Sequence, residues 1–227
     1  LLAVKLFFLS INSRLSMDGQ NRPCLCCRAA VHLRHGEDTV MIQRTEALRL
    51  LAEQETPPGL LQHALDTEAV MRALAGHFGE DQDLWGLTGL LHDLDYPQTA
   101  ENPAMHGIET ANALSGLLPE NALSAIRAHN AEHNGSLPST RLDYALRCGE
   151  TVTGLVSAAV LVRPTGFEGL NPRSIRKKMK DKAFAASVQR DNIRQCAEAG
   201  LDLDTFLALT IDAMKTRAAD HGPVNPE

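Results

Sequence analysis

The sequence predicts an all-α protein that folds as a compact helical bundle. From residue 42 onward, apolar residues recur at helical spacing in successive segments separated by short loops. Aromatic residues make up only 4% of the 227 residues, so the core consists mainly of Leu and Ala, which favour helices. No convincing strand pattern appears in this part of the chain. The length suffices for one sizeable domain with its own core.

The predicted helices in the first half of the chain are bounded by residues that start or stop helices. A Pro-Pro-Gly segment at 57–59 ends the first helix, and Gly79 supplies a left-handed stop to the second. Tyr96-Pro97 ends the third helix, and Pro103 suits the first turn of the fourth. The predicted helices span 42–53, 60–78, 83–93, 103–117, 119–133, 140–162, 171–178, 182–188, 191–199 and 204–219.

In the second half, Asn134-Gly135 is a turn signal between the fifth helix and the long sixth helix, and Pro164 follows the sixth. The last helix carries an apolar stripe, as is typical of a helix that packs on a core. The stripe consists of Phe206, Leu207, Thr210, Ile211 and Met214.

Residues 1–40 differ from the rest and are expected to be a disordered or non-native extension. The apolar run at 1–8 is too short to span a membrane and is interrupted by Lys5. Helical patterning begins directly after Met41, which is the favoured native start, with Met17 as the alternative. We therefore expect a single helical domain over 41–220 and a tail over 221–227.

The five cysteines predict a reducing, cytoplasmic setting, because they are odd in number and lack the spacing of a disulfide framework. Cys24, Cys26 and Cys27 form an alternative zinc cluster. A structural zinc site normally needs two well-spaced ligand pairs, and only the distant His32 and His35 accompany these cysteines.

The overall charge narrows the classes of partner. A net charge of -6 and a pI of about 5.8 argue against nucleic-acid binding, which usually requires a basic excess. The negative net charge is compatible with a small phosphorylated substrate, because the charge around the site, and not the net charge of the protein, determines whether phosphate binds. No membrane association is expected, and the sequence gives no indication of the oligomeric state.

The segment 90–95 carries the strongest chemical signal. An apolar helix ends there in His92 and Asp93, and Asp95 follows. Burying an imidazole and a carboxylate together is costly unless they are paired or bound to a metal ion. Adjacent helical side chains diverge by about 100°, so both reach one ion only near a helix end. The Tyr96-Pro97 break puts them at such an end.

Other potential ligands are distributed so that every long helix from the second to the sixth offers one or two. His63 lies in line with the apolar face of the second helix. His106 lies in the first turn of the fourth helix, His129 near the end of the fifth, and Glu150 in the sixth. Imidazole and carboxylate together are a common ligand set for divalent cations.

The order His63, His92-Asp93 and a late acid resembles the ligand order of the HD superfamily of metal-dependent phosphohydrolases. Further motifs resemble one subgroup of uncharacterised predicted HD hydrolases, over about 41–217. They are Ala-Val-Met-Arg-Ala-Leu-Ala at 69–75, Leu-Trp-Gly-Leu at 84–87, His-Gly at 106–107, Ala-His-Asn at 128–130, Leu-Val at 155–156, Val-Arg-Pro at 162–164 and Lys-Asp-Lys-Ala-Phe-Ala at 180–185.

The resemblance implies an HD-type bundle in which His63, His92, Asp93 and the late acid hold a divalent metal. The family's late acid is normally Asp, whereas this chain has Glu150. The extra methylene moves the carboxylate outward, so either the ion shifts, a water intervenes or the site is weakened.

His106 and His129 resemble the second-metal ligands of two-metal HD enzymes, including the diadenosine tetraphosphate hydrolases and the HD-GYP phosphodiesterases. The HD-GYP enzymes carry a His-His pair and a Gly-Tyr-Pro signature. Here Asn130 follows His129 and the signature is absent, so that activity is not expected. His133, four residues after His129, is an alternative ligand. The sequence thus predicts one or two ions and does not distinguish Mn, Fe, Ni, Mg or Zn.

The predicted reaction is hydrolysis of a phosphoester or phosphoanhydride, in a nucleotide or another small phosphorylated metabolite, by metal-activated water. Asp93 is expected to bridge two ions in a two-metal site. Asp95 is expected to carry protons, as is Glu150 if it is not a ligand.

A dense basic run over 173–182 stands out in an otherwise acidic chain. It predicts a phosphate-binding rim, formed by Lys178, Lys180 and Lys182 and joined by Arg163, because these cations stabilise anionic oxygens. A solvated helix face is the alternative interpretation.

Two other functions fit the same residues. A catalytically weak HD-fold regulatory protein that binds a nucleotide or a metal is favoured by Glu150. A di-iron oxygenase is the other, since some HD-fold proteins oxidise their substrates. Metal analysis combined with an assay on phosphoesters and nucleotides would distinguish the regulatory protein from a hydrolase. Oxygen consumption would identify the oxygenase.

Overall fold

A computed structural model describes residues 41–221 of the chain, and the regular secondary structure in that range is helical, with no strand. The predicted all-α class is therefore confirmed. The predicted extension over 1–40, with its cysteine cluster, lies outside the described residues, as do positions 222–227 of the predicted tail. The helices are α1 (Arg44–Glu53), α2 (Pro58–Phe78), α3 (Gln82–Leu91), α4 (Tyr96–Thr99), α5 (Ile108–Ala113), α6 (Glu120–Ala128), α7 (Ala131–Asn134), α8 (Arg141–Leu161), α9 (Pro172–Lys180), α10 (Arg190–Arg194) and α11 (Leu203–His221).

The centre of the fold is α2, which packs against α3, α8 and α11. Val70, Met71 and Leu74 on α2 are fully buried. Gly89 on α3 lets the two helices approach closely, because a Cβ at this position would lie 3.0 Å from the backbone oxygen of Thr67. The sequence thus places small residues where the helices that carry the central ligands meet.

The long helix α8 begins at a capping box. The Thr140 hydroxyl accepts a hydrogen bond from the backbone N–H of Asp143, and the Asp143 carboxylate accepts from the backbone N–H of Thr140. These bonds fix where α8 starts and therefore which of its faces meets α2.

Four predicted helices are wrong in their extent. The fourth, predicted over 103–117, is limited to α5, because Gly107 precedes it at a φ of 81°. The fifth, predicted over 119–133, is split into α6 and α7 around His129 and Asn130. The segment 182–188 forms turns, in which the Asp181 carboxylate accepts from the backbone N–H of Ala183. The ninth, predicted over 191–199, ends at Arg194, and residues 195–200 form turns.

No helix within residues 41–221 combines the length and the hydropathy that crossing a bilayer requires.

Candidate metal centre

Two of the predicted ligands stand at the carboxyl ends of helices. His92 is the C-cap residue of α3, and His129 is the C-cap residue of α6. In both, Nδ1 bonds the carbonyl three residues earlier in the same helix, at Gly89 and Ile126 respectively. Both residues are buried. Each helix end therefore fixes the orientation of its own imidazole.

The other two imidazoles are oriented by side chains from other segments. The Nδ1 atom of His63, on α2, lies 2.9 Å from the Thr153 hydroxyl on α8. That hydroxyl donates its own hydrogen to the Glu150 carbonyl at 2.6 Å, so it accepts from His63. The Nδ1 atom of His106, just before α5, lies 2.7 Å from Oδ1 of Asp95.

Asp93 lies at the centre of the four rings. Its Oδ1 is 3.3 Å from Nε2 of His92, 3.2 Å from that of His106 and 3.4 Å from that of His129. Its Oδ2 is 3.6 Å from Nε2 of His63. The Nε2 atoms also approach one another in pairs, at 3.2 Å between His63 and His92 and 3.0 Å between His106 and His129.

The hydrogen bonds at Nδ1 determine whether each of the four Nε2 atoms carries a proton or a free lone pair. Each Nδ1 faces an acceptor oxygen, so a neutral ring carries its proton there and exposes the Nε2 lone pair. Lone pairs that face one another at about 3 Å repel unless they share protons or a cation. The arrangement of neutral nitrogen donors around a carboxylate, with the far nitrogens held by oxygen acceptors, fits a divalent metal centre.

The electrostatics of the cluster keep the central carboxylate ionised. Burial opposes ionisation of Asp93, but the charge of His92 and hydrogen bonds from His106 and His129 hold its pKa well below the ordinary value. Burial lowers the pKa of His63 to about 4, so this ring stays neutral. Burial also opposes protonation of His106, but Asp93 and Asp95 raise its pKa to about 9. Without a metal ion this ring therefore holds protons on both nitrogens at neutral pH, and metal binding would release the one on Nε2.

A family model described as HD domain matches residues 60–178, which is more than half of the chain. The chain belongs to the HD family. The predicted membership in this superfamily of metal-dependent phosphohydrolases is confirmed, whereas the subgroup remains a prediction. No curated protein and no solved structure gives a significant match. Membership in the HD family indicates a metal-dependent hydrolase.

Within this HD fold, the structure brings all six predicted ligands together. Ligand atoms of His63, His92 and Glu150 lie within 4.8 Å of one another, as do those of His92, Asp93 and His129. The Nε2 atom of His106 adjoins the second group. The two groups are adjacent, so these residues can hold one ion or two with Asp93 between them. Glu150 reaches the first group despite its longer side chain.

Asp95 is placed differently from its predicted role as a proton carrier. Its Oδ1 accepts from His106, and its Oδ2 accepts from the backbone N–H groups of Gly107 at 2.8 Å and Thr110 at 2.9 Å. The residue is buried. Both oxygens are engaged inside the protein, so the carboxylate is placed to orient His106, and its role as a proton carrier stays a prediction.

His133, the alternative ligand, does not join the cluster. It lies on α7, which the non-helical Asn130 separates from the end of α6, and it is exposed. The two potential metal groups found in the described residues do not include it.

The predicted phosphate-binding rim is dispersed. The Arg163 guanidinium donates to the carbonyls of Gly166 and Glu168 and so closes its own loop. The Lys178 ammonium lies 3.8 Å from the centre of the Phe184 ring. Lys180 and Lys182 are exposed. A concave surface of about 950 Å³ is lined by Lys180 and by further residues of or next to α9 and α11, namely Asn171, Pro172, Arg173, Ser174, Arg176, Lys177 and Asp204.

Two residues of the centre had no role in the sequence analysis. Thr153 orients His63 from three residues beyond Glu150, which places both on one face of α8. Gly107 packs so closely that an added Cβ would lie 2.7 Å from the Ile126 oxygen and 3.1 Å from Cε1 of His129. The Thr153 spacing was readable from the sequence, whereas the Gly107 contact depends on the folded chain.

Proposed function

We propose that this protein is a metal-dependent hydrolase that cleaves a phosphoester or phosphoanhydride in a nucleotide or another small phosphorylated metabolite. The observation that supports this function is the convergence of four imidazole Nε2 atoms on Asp93, with every Nδ1 bonded to an acceptor. Such a set supplies lone pairs and an anionic charge at one point in the protein, which suits a cation that in turn attracts phosphate.

Two groups of residues would hold the metal, and His92 belongs to both. One consists of His63, His92 and Glu150, and the other of Asp93, His106 and His129 beside His92. When bound, the divalent cation supplies Lewis acidity, which acidifies water and neutralises phosphoryl oxygens. The nitrogen and oxygen donors are compatible with Mn, Fe, Ni, Mg and Zn.

The protein leaves one side of the cluster open. The His92 and His129 side chains are only 1% and 5% exposed. The side chains of His63 and Asp93 are 24% and 13% exposed, and that of His106 is 13% exposed. A substrate therefore approaches beside His63, Asp93 and His106, while the packed core behind His92 and His129 excludes water. We retain Lys180 and Lys182 as the proposed phosphate-binding cations, because both side chains are exposed to solvent.

The first test removes the centre of the ligand set. His92→Ala and Asp93→Ala should each lower phosphate release by at least about 1000-fold. His92 belongs to both groups of donors, and the Asp93 carboxylate lies within 3.6 Å of all four Nε2 atoms. Metal content of the purified protein and release of inorganic phosphate from a panel of nucleotides and phosphoesters are measured together. His133→Ala is the matched control, since this exposed imidazole lies outside the cluster, and it should retain both metal and rate.

Other results of the same assay separate the alternatives. A variant at His92 or Asp93 with unchanged metal content and rate would refute the proposed site. Metal binding without phosphate release from any substrate would favour a regulatory protein. Oxygen consumption by the iron-loaded protein would favour an oxygenase.

A further inference from the structure

Arg147, on α8, is the largest fully buried side chain of the core apart from the ligands, and it is only 2% exposed. Its guanidinium donates through Nη1 to the carbonyl oxygens of Ala128, at 2.7 Å, and His129, at 2.9 Å. Three side chains fix its other nitrogens, those of Glu132, Asn192 and Gln195. The cation is thus held by side chains of α7 and of α10 with its C-cap, and it bonds the backbone of a metal-ligand candidate.

The two carbonyls that Arg147 binds lie at the carboxyl end of α6. Carbonyls in the last turn of a helix have no intrahelical partner, and the helix dipole favours a positive charge there. Arg147 meets both needs where the chain turns from α6 into α7. It therefore fixes the backbone from which the His129 side chain extends.

The same turn also holds the other imidazole of this pair. The Asn130 amide donates to the carbonyls of Pro103 and His106, and the Asn134 amide donates to His106 as well. The chain around His106 is therefore bonded to the turn that Arg147 fixes. This relay accounts for the 3.0 Å approach of the His106 and His129 Nε2 atoms, which come from separate segments.

We propose that Arg147 is a positioning residue for the half of the metal centre formed by Asp93, His106 and His129, an inference that rests on the proposed function. It touches neither metal nor substrate and acts through the backbone of His129. Metal–ligand distances tolerate deviations of only about 0.2 Å, so a small displacement of this turn lowers the affinity of that half. In the half formed by His63, His92 and Glu150, no backbone carbonyl is bonded to Arg147. Glu150 lies one turn from Arg147 on α8 and is affected only by the charge of the guanidinium.

The experiment titrates the metal-free full-length protein with Co²⁺, and follows bound metal by equilibrium dialysis and the visible spectrum. His129→Ala first identifies the equivalent of Co²⁺ that depends on His129. Arg147→Met should weaken the same equivalent by about 10–100-fold. It should weaken the other equivalent much less, because only the lost charge near Glu150 acts there. Arg147→Lys, which keeps the charge but not the forked donors, should give an intermediate affinity.

A second, largely covered guanidinium distinguishes a positioning role from a merely structural one. Arg217, on α11, pairs with the buried carboxylate of Asp66. Both residues are far in sequence from Ala128 and His129, whose carbonyls Arg147 binds. Arg217→Met should lower the melting temperature without changing either Co²⁺ affinity. If Arg147→Met does not fold, Gln195→Leu removes one bond that holds Arg147 and should produce the same selective loss to a smaller degree.

The two possible failures are distinct. Wild-type protein that binds no Co²⁺ would refute the metal centre itself. If the wild type binds Co²⁺ and the folded Arg147→Met or Gln195→Leu variant keeps the His129-dependent equivalent at full affinity, the role of Arg147 is refuted and the proposed function stands.

Discussion

The four imidazoles of the centre form two pairs that are oriented by different means. His92 and His129 are held by carbonyls of the helices that they terminate. His63 and His106 are held by Thr153 and by a carboxylate, both on other segments. The first pair is buried, whereas the second pair borders the open side of the cluster.

This difference separates the parts of the site that local structure fixes from those that depend on the whole fold. A backbone carbonyl cannot be removed by substitution, so the orientation of the buried pair can be disturbed only by moving a helix end. The Thr153 hydroxyl that orients His63 and the Asp95 carboxylate that orients His106 can each be removed by a single substitution. A substitution that moves a helix end should therefore disturb metal binding more than one that removes a single orienting side chain.

The largest effect is expected from Gly107→Ala, which disturbs the helix end that orients His129. The new Cβ would lie 2.7 Å from the Ile126 oxygen, and the φ of 81° is itself unfavourable for Ala. We expect a loss of about 2–4 kcal/mol in the free energy of unfolding, together with loss of bound metal. Urea unfolding and metal analysis measure both.

Gly116→Ala is the matched control, because it has a φ of 77° but no atom within 4 Å of the added Cβ. It should cost only the backbone strain, about 1–2 kcal/mol, and leave metal content unchanged. Equal losses of metal in the two variants would show that the contact with the α6 end is irrelevant to the site.

An intermediate effect is expected from Asp95→Asn. An amide in this position cannot serve all the donors that meet at the carboxylate, namely the His106 ring and the backbone N–H groups of Gly107 and Thr110. Metal affinity should fall by about 10–100-fold, as measured by competition with a chelator.

Asp143→Asn provides the comparison, because the buried Asp143 carboxylate also accepts from two backbone N–H groups, those of Ser139 and Thr140, but touches no imidazole. It should destabilise the fold without changing metal affinity. An Asp95→Asn protein with wild-type affinity would mean that His106 needs no carboxylate to orient it.

The smallest effect is expected from Thr153→Val, which removes the acceptor for His63 and leaves the ring in place. Metal affinity should fall by about tenfold, the lower end for a group that orients a ligand. Thr210→Val removes an equally buried hydroxyl that bonds its own helix backbone on α11, and it should leave the affinity unchanged. Equal affinities in the two variants would show that Thr153 does not orient His63.

The helical class and the identity of the ligand candidates were predictable because both follow from short-range patterns. Apolar spacing predicted the long helices α2 and α8 to within two residues at each end. His63, His92 and Asp93 were selected because their order resembles that of the HD family, and the family match confirms that resemblance. The prediction that these residues bind metal awaits the test above.

The parts that could not be predicted depend on contacts between distant segments. The break at His129 is held by Arg147, which lies 18 residues further along the chain. The role of Asp95 depends on the chain reversal at Gly107, which returns backbone N–H groups to the carboxylate. Helical periodicity carries no information on either contact, so the sequence predicted continuous helices and a proton-carrying role for Asp95.

The long helix α11 lies wholly outside residues 60–178, the segment that matches the HD family model, yet it contributes side chains to the hydrophobic core. Its Phe206, Leu207, Ile211 and Met214 are buried, and Arg217 reaches back to Asp66 on α2. Burial of each such side chain is worth about 1.5–3 kcal/mol, and a domain has only about 5–15 kcal/mol of net stability. The segment that matches the family model is therefore smaller than the unit that folds. Residues 60–178 alone would lack the buried side chains of α11 and would not keep a native core.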